Sequence, residues 1–310
     1  MAVRESGIDA GRFIGFVGVT MIHTVIMGGE VAVLGEQWGR FAVPMFFMVS
    51  GYFLNLDEPV GASVRRHSKR LLPIFAFWAT LYLVAFSAWP SSPREWAMLL
   101  IKGGKGNHLW FIQSLWLCVV AAAVLVRLLG LRSAILVAVG LYAAGLAIGA
   151  YAPLLGIRQA IWNPRDGLTF GLLPLLLGCL LRRHPITLET RWAVFWFFAL
   201  SAVHIGEYRW ALHGHPRYPE FFVSTPLLAG SAFVMFRSWH PTSPLALRLA
   251  DLGRYSLGFY AIHMFFVQLG FRLLPGGTPG WLIATPGVVI LAVAVTMVLA
   301  KVPAMRRFIQ

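Results

Sequence analysis

The sequence predicts an all-α fold: a polytopic transmembrane helix bundle of about ten spans with both termini in the cytoplasm. The 310-residue chain is 58% hydrophobic and only 12% charged, a composition that the surface of a water-soluble protein does not allow. Apolar stretches near the length of a bilayer crossing recur along the whole chain. Lys and Arg concentrate on one side of these stretches, which sets the orientation.

Ten stretches are interpreted as spans, and several of them are short or contain proline, which membrane helices tolerate where neighbours satisfy the freed backbone groups. In chain order they cover residues 8–29, 40–56, 71–89, 108–129, 133–150, 168–183, 192–210, 222–238, 253–273 and 281–301. With both termini inside, 17 of the 26 Lys and Arg residues fall in cytoplasmic segments. The net charge of +14 is therefore explained largely by the Lys and Arg residues that set the orientation of the chain in the membrane.

These features exclude several classes of function. No segment is long or polar enough to form a soluble basic domain, so no nucleic-acid partner is expected. Cys118 and Cys179 both fall inside predicted spans, which indicates neither a disulfide framework nor a thiolate metal site. We expect no metal, and a single integral-membrane domain over residues 1–310 with membrane lipid around it and no extramembrane domain.

Arg12 and His23 in the first span carry the strongest functional signal. Eleven residues at 100° each come close to three full turns, so the two side chains lie on one helix face about 16 Å apart. Ionisable groups at membrane depth are costly and usually line a pathway or a reaction chamber. The alternative is a pair of groups that only hydrogen-bond neighbouring helices. A cation and an imidazole on one face favour the functional interpretation.

The first cytoplasmic loop, ASVRRHSKRLLP, places four cations within six positions: Arg65, Arg66, Lys69 and Arg70. This cluster is either an orientation signal that also attracts anionic lipid, or a docking site for a phosphorylated ligand. On a helix, Arg66, Lys69 and Arg70 would present one cationic face.

The second predicted span, GRFAVPMFFMVSGYFL, has Arg40 near its outer boundary and Ser50-Gly51 deeper inside. Ser-Gly in a membrane helix most often permits close approach of a neighbouring helix. Arg40 is a candidate contact for a polar substrate that enters from outside.

Two later spans carry polar groups. The fourth opens with HLWFIQ, in which His108, Trp110 and Gln113 can line an entry for a polar substrate, although Trp is also an ordinary interfacial anchor. In the ninth span Tyr260 and His263 are three residues apart and share a face. That face must meet protein or water and not lipid.

These segments together resemble the acyltransferase 3 family. The resemblance rests on Asp-x-x-Arg followed by ten residues and then His in the first helix, on FFMVSGYFL, on a basic loop ending in LLP, on HLWF at an outer boundary and on YSLGFYAIH near the end. It covers the whole chain in the right order. Members are bacterial inner-membrane O-acyltransferases, typically with ten helices, that acylate sugars of surface glycans using cytosolic acyl-CoA.

The resemblance implies roles for individual residues, with acetyl-CoA as the donor substrate and no permanently bound cofactor. His23 and Arg12 would be catalytic. The donor would be held by Arg12, Arg65, Arg66, Lys69, Arg70 and Ser50. The glycan or lipid-linked sugar would be held by Arg40, His108, Trp110, Gln113, Tyr260 and His263. The family has two arginines three residues apart, and here only Arg66 and Lys69 match them. Lys carries a compact point charge and cannot form the two parallel hydrogen bonds to phosphate that a guanidinium forms.

The chemistry agrees with these roles. Acyl transfer from a thioester to a hydroxyl needs a base, and His23 is the base that lies deep in the first helix. A second hypothesis is a transporter or exporter of a small polar solute that uses His23, Arg12 and His263. A third is haem ligation by His23 and His263, which would leave Arg12 and the basic loop without a role.

Overall fold

The structure is a computed structural model that describes residues 5–87, 89–104, 106–160, 163–212 and 219–309. These residues form α-helices joined by short connections and two 3₁₀ turns, and no strand occurs among them. The helices are α1 Ser6–Thr24, α2 Glu30–Gly39, α3 Ala42–Tyr52, α4 Val60–Ala85, α5 Pro93–Lys102, α6 Trp110–Ile148, α7 Leu168–Arg183, α8 Thr190–Ala211, α9 Ser224–Ser238, α10 Pro244–Gly253, α11 Ser256–Leu273, α12 Thr278–Leu299 and α13 Pro303–Arg306. The predicted all-α class is confirmed.

Three of the described helical segments are long and apolar enough to cross a membrane on their own: Ser6–Met27, Asn107–Ile148 and Thr278–Leu299. The second of these is broken at Gly130, whose φ of 76° and ψ of 163° lie outside the helical region. The break falls between the fourth and fifth predicted spans. The count of ten spans and the cytoplasmic termini stay predictions.

The second predicted span, residues 40–56, is the one that differs most from a full crossing. The helix there, α3, has 11 residues and is therefore about 16 Å long, half of a bilayer core. It packs closely on α7, because a Cβ at Gly51 would collide with the carbonyl of Leu175 and one at Gly178 with that of Met48. Gly51 thus allows the close helix approach that the Ser-Gly pair predicts.

Helix α1 lies at the centre of the bundle and packs against α2, α3, α9, α10, α11 and α12. Small residues allow these approaches: Gly18 meets Gly39, and Gly253 at the end of α10 meets the carbonyl of Asp9. Phe16 of α1 is fully buried, with its ring centroid 5.3 Å from that of Phe259. The helix that carries Arg12 and His23 is therefore surrounded by protein and not by lipid.

Charged side chains collect at the two ends of α1. Near its first residues, Arg237 lies 3.9 Å from Glu5, and the hydroxyl of Tyr52 donates to the same Glu5. Arg182 donates to the backbone carbonyl of Tyr52. Arg40 lines a cavity with His23 near the opposite end of the helix. The sequence assigns Arg182 and Arg237 to one side of the membrane and Arg40 to the other, and in the structure they lie near opposite ends of α1.

Candidate functional site

A cavity among the described helices has a volume of about 280 Å³ and a strongly basic wall. Arg12 of α1, Arg66 and Arg70 of α4, and Arg254 after α10 all line it. Apolar side chains that line the rest of it include Phe46, Val49, Leu71, Ile112, Leu115 and Val119. We call this space the basic cavity. Its shape suits a ligand with anionic groups at one end and an apolar arm.

Two of the four arginines in the basic cavity are paired with acids. Arg12 lies 2.8 Å from Asp9, and Arg66 lies 2.8 Å from Glu58. In the described parts of the chain, no carboxylate lies within ion-pairing distance of Arg70 or Arg254. The cavity therefore has an excess of positive charge that an anionic ligand would neutralise.

His67 also lines the basic cavity, and its Nδ1 lies 2.8 Å from the carbonyl of Ser63. Burial lowers the pKa of the His67 imidazole, so the ring is neutral near pH 7. The positive charge of the cavity therefore comes from its arginines.

The structure brings only part of the predicted donor-binding set to this cavity. Ser50 lines it and donates to the carbonyl of Phe46 at 2.8 Å. Arg65 and Lys69 are exposed on α4 and are absent from the cavity wall. The face of α4 that meets the cavity is formed by positions 66, 67, 70 and 71, and position 69 of the predicted cationic face lies outside it.

A smaller cavity, of about 40 Å³, contains His23. Arg40, Trp110, Arg165 and Glu220 line it with His23, and the guanidinium of Arg165 lies 4.9 Å from the ring centre of Trp110. We call this space the histidine cavity. His23 is half-buried, so its imidazole is accessible from the cavity.

An ion network borders the histidine cavity. In order of contact its members are Glu36, Arg40, Glu220, Arg165, Asp166 and Lys102. Arg40 lies 3.6 Å from Glu220 in addition to its pair with Glu36. Asn163 donates to the same Glu220 at 2.7 Å. Because acids and bases alternate, the network fixes the position of Arg40 and Arg165 without a large net charge.

Two further histidines, His108 and His263, pack close to His23, although neither lines the histidine cavity. The ring centroid of His23 lies 5.1 Å from that of His263 and 6.4 Å from that of His108. His108 and His263 are fully buried, and each places one ring nitrogen against a backbone carbonyl, of Ala261 and Tyr260 respectively. Their other nitrogens, Nδ1 of His108 and Nε2 of His263, have no partner among the described residues.

The geometry of these histidines does not fit the haem hypothesis. The rings of His23 and His263 are in direct contact at 5.1 Å, which leaves no space for a porphyrin between them.

Phe111 and Tyr260 line both cavities and separate them. Of the other predicted acceptor-binding residues, Gln113 lines neither cavity and donates to the carbonyl of Leu100 at 2.7 Å. The site therefore brings Arg40, Trp110 and Tyr260 to the histidine cavity and leaves Gln113 outside.

Three basic or acidic site residues were not expected from the sequence: Arg165, Glu220 and Arg254. Arg165 and Glu220 lie in irregular segments between helices, where no hydrophobic period assigns a face. The only sequence signal was the adjacent Arg165-Asp166 pair close to an apolar stretch. Arg254 was assigned only to the cytoplasmic side of the membrane.

Comparison with known proteins gives a family match over almost the whole chain. A family model described as an acyltransferase domain, the acyltransferase 3 family, matches residues 5–301. The chain is also similar to a serine/alanine racemase of Enterococcus gallinarum, 24% identical over 298 residues, which is 86% of this chain and 41% of that protein. An amino-acid racemase of Enterococcus faecalis is 24% identical over 291 residues, 85% of this chain and 41% of that protein. The chain thus spans about two fifths of each of these relatives. No solved structure matches.

Proposed function

Because the chain belongs to the acyltransferase 3 family, we propose that it is a membrane O-acyltransferase with acetyl-CoA as donor and a sugar hydroxyl as acceptor. The sugar belongs to an extracytoplasmic or lipid-linked glycan, and the enzyme lies in the bacterial inner membrane with about ten spans. The observation that carries the proposal is the pair of cavities, one basic and one containing His23, that meet at Phe111 and Tyr260.

The basic cavity is the proposed donor site. The phosphates of CoA would be held by Arg12, Arg66, Arg70 and Arg254, two of which have no carboxylate partner among the described residues. Charge-assisted contacts to phosphate are strong enough for this task. The apolar wall would hold the pantetheine arm and direct the thioester toward His23. In the predicted orientation this cavity opens to the cytoplasm, where the donor is found.

The histidine cavity is the proposed reaction site. His23 accepts the proton of the acceptor hydroxyl as its oxygen attacks the thioester carbonyl carbon. A new ester C–O bond forms, the C–S bond breaks, and the proton held by His23 passes to the departing CoA thiolate. Arg40 or Arg165, which line the same cavity, would stabilise the negative charge on the carbonyl oxygen.

The proposed acceptor is a sugar, because the histidine cavity offers fixed polar groups for hydroxyls. Only the reacting hydroxyl would meet the acetyl group at the edge of this small cavity, where Glu220 and Arg40 offer hydrogen-bonding partners. The racemase names of the two relatives describe proteins more than twice as long as the matched region. They therefore supply no acceptor for this proposal.

The proposal is tested by incubating membranes that contain the protein with radiolabelled acetyl-CoA and separating the glycan and lipid-linked sugar fractions. We expect label in one carbohydrate fraction, and none when His23→Ala replaces the wild type. Absence of transfer to any carbohydrate would favour the second hypothesis, a transporter of a small polar solute that uses His23, Arg12 and His263.

A further inference from the structure

The wall between the two cavities consists of one residue from each of two helices. Phe111 belongs to α6 and Tyr260 to α11, and their ring centroids lie 5.5 Å apart at an interplanar angle of 73°. Both side chains are buried. Arg12 lies on one side of this wall and His23 on the other. A ligand that reaches both residues through the two cavities therefore passes these two rings.

The two halves of the wall are held in different ways. The hydroxyl of Tyr260 donates to the carbonyl of His108, so this ring is fixed by a hydrogen bond as well as by packing. The side chain of Phe111 has no hydrogen-bonding group and is held by packing, with its ring centroid 5.0 Å from that of Phe47, 6.1 Å from that of Phe46 and 6.4 Å from that of Trp110. Rotation of Phe111 breaks no hydrogen bond, so Phe111 is the half of the wall that can move.

The histidine cavity is small on the far side of the wall. Its volume is about 40 Å³, which is room for about three water-sized groups if each needs about 10–15 Å³. An acetyl group has three heavy atoms. A butyryl group adds two methylenes, for which the space between Phe111, Tyr260 and His23 offers no room.

We propose that Phe111 determines which acyl groups this enzyme transfers, by admitting an acetyl group past Tyr260 and excluding longer chains. This inference rests on the proposed acyltransferase function. In it, CoA stays in the basic cavity and only the thioester end passes the wall. Phe111 is a specificity-determining residue, and it takes no part in proton transfer.

A series of acyl-CoA donors tests the specificity. The ratio of butyryl to acetyl transfer should rise about tenfold or more in Phe111→Ala, because space for two further buried methylenes becomes available. Phe53→Ala is the matched control, since it removes a phenyl ring that lines the basic cavity and packs on Tyr52 and not on Phe111. An unchanged ratio in Phe111→Ala, or an equal rise in Phe53→Ala, would overturn the proposal. Phe111→Leu gives the same comparison if the alanine variant does not fold.

Thiol labelling tests the wall without any acyl transfer. Val43 lines the histidine cavity, and the two native cysteines are buried. In sealed vesicles of each orientation, Val43→Cys should react with a sulfonated, impermeant thiol reagent only from the side opposite Arg254. Adding Phe111→Ala should allow reaction from the Arg254 side as well.

The labelling result separates this proposal from the proposed function. Reaction from the Arg254 side with Phe111 intact, or none from that side in Phe111→Ala, would overturn the role of Phe111 whatever the transfer assay gives. Absence of acyl transfer together with the expected labelling would instead overturn the acyltransferase function and leave the wall in place.

Discussion

Arg12 and His23 lie on the same helix, yet each lines a different cavity: Arg12 the basic cavity and His23 the histidine cavity. Eleven residues of α-helix separate them by about 16 Å along the axis. Because α1 is surrounded by protein, this distance lies inside the bundle and not along its lipid surface. The helix thus connects a proposed donor site to a proposed reaction site.

Replacing His23 with alanine should lower acyl transfer at least a hundredfold, because general-base catalysis contributes about 10²–10⁴. His184→Ala is the control, since His184 is exposed after α7 and lines neither cavity. The measurement is transfer of radiolabelled acetyl by purified protein that elutes as wild type in size-exclusion chromatography. A His23→Ala variant with more than about a tenth of wild-type activity would rule out an essential base.

The arginines of α4 should divide into two groups by their effect on CoA binding. Arg66→Ala and Arg70→Ala should each weaken binding about tenfold to a hundredfold, because a charge-assisted contact contributes about 1.5–3 kcal/mol. Arg65→Ala, which alters the exposed neighbour of Arg66, should change the affinity by less than about twofold. Calorimetric titration of the detergent-purified variants with CoA measures this. Equal losses at positions 65 and 66 would show that the cavity is not the donor site.

Glu220→Gln should affect the acceptor and not the donor. Glu220 is the shared partner of Arg40 and Arg165, so its neutral isostere releases both guanidiniums from their positions beside His23. We expect a higher KM for the acceptor and a CoA affinity within about twofold of wild type, since distant sites are nearly independent. Glu189→Gln, at an exposed ion pair with Arg191, is the control. A parallel loss of CoA affinity would contradict the division into two sites.

Cysteines at the two ends of the bundle should react from opposite sides of the membrane. Arg254→Cys, at the basic cavity, should be labelled only from the cytoplasm. Arg94→Cys should be labelled only from outside, because it lies on α5, whose Lys102 pairs with Asp166 of the ion network. The measurement is labelling by an impermeant thiol reagent in vesicles of known orientation. Labelling of both positions from the same side would refute the predicted topology.

The helices with clear boundaries were predictable from the sequence. Residues 168–183 form an apolar run that ends at two arginines, and α7 covers the same residues, Leu168–Arg183. The common face of Arg12 and His23 followed from helical period alone. Short helices were missed: α2 and α5 have 10 residues each, and a stretch of that length gives no signal of a bilayer crossing.

Contacts between distant segments were not predictable from one sequence. His108, in the 3₁₀ turn before α6, and His263 of α11 are brought next to His23 by tertiary packing, which no local pattern encodes. Arg65 and Arg66 are adjacent in the sequence and both are exposed, yet the rotation of 100° between them about α4 leaves only Arg66 at the wall of the basic cavity. The rotational position of a helix is set by tertiary packing, and the sequence alone leaves it open.

The most direct test of the account is acyl transfer across a sealed membrane. Vesicles that contain the protein are prepared with radiolabelled acetyl-CoA on one side and the acceptor glycan on the other. We predict labelled glycan only when acetyl-CoA is on the side of Arg254 and the glycan on the opposite side, with no transfer in His23→Ala. Transfer that requires both substrates on the same side would contradict the account, because the two cavities could not then serve opposite faces of the membrane.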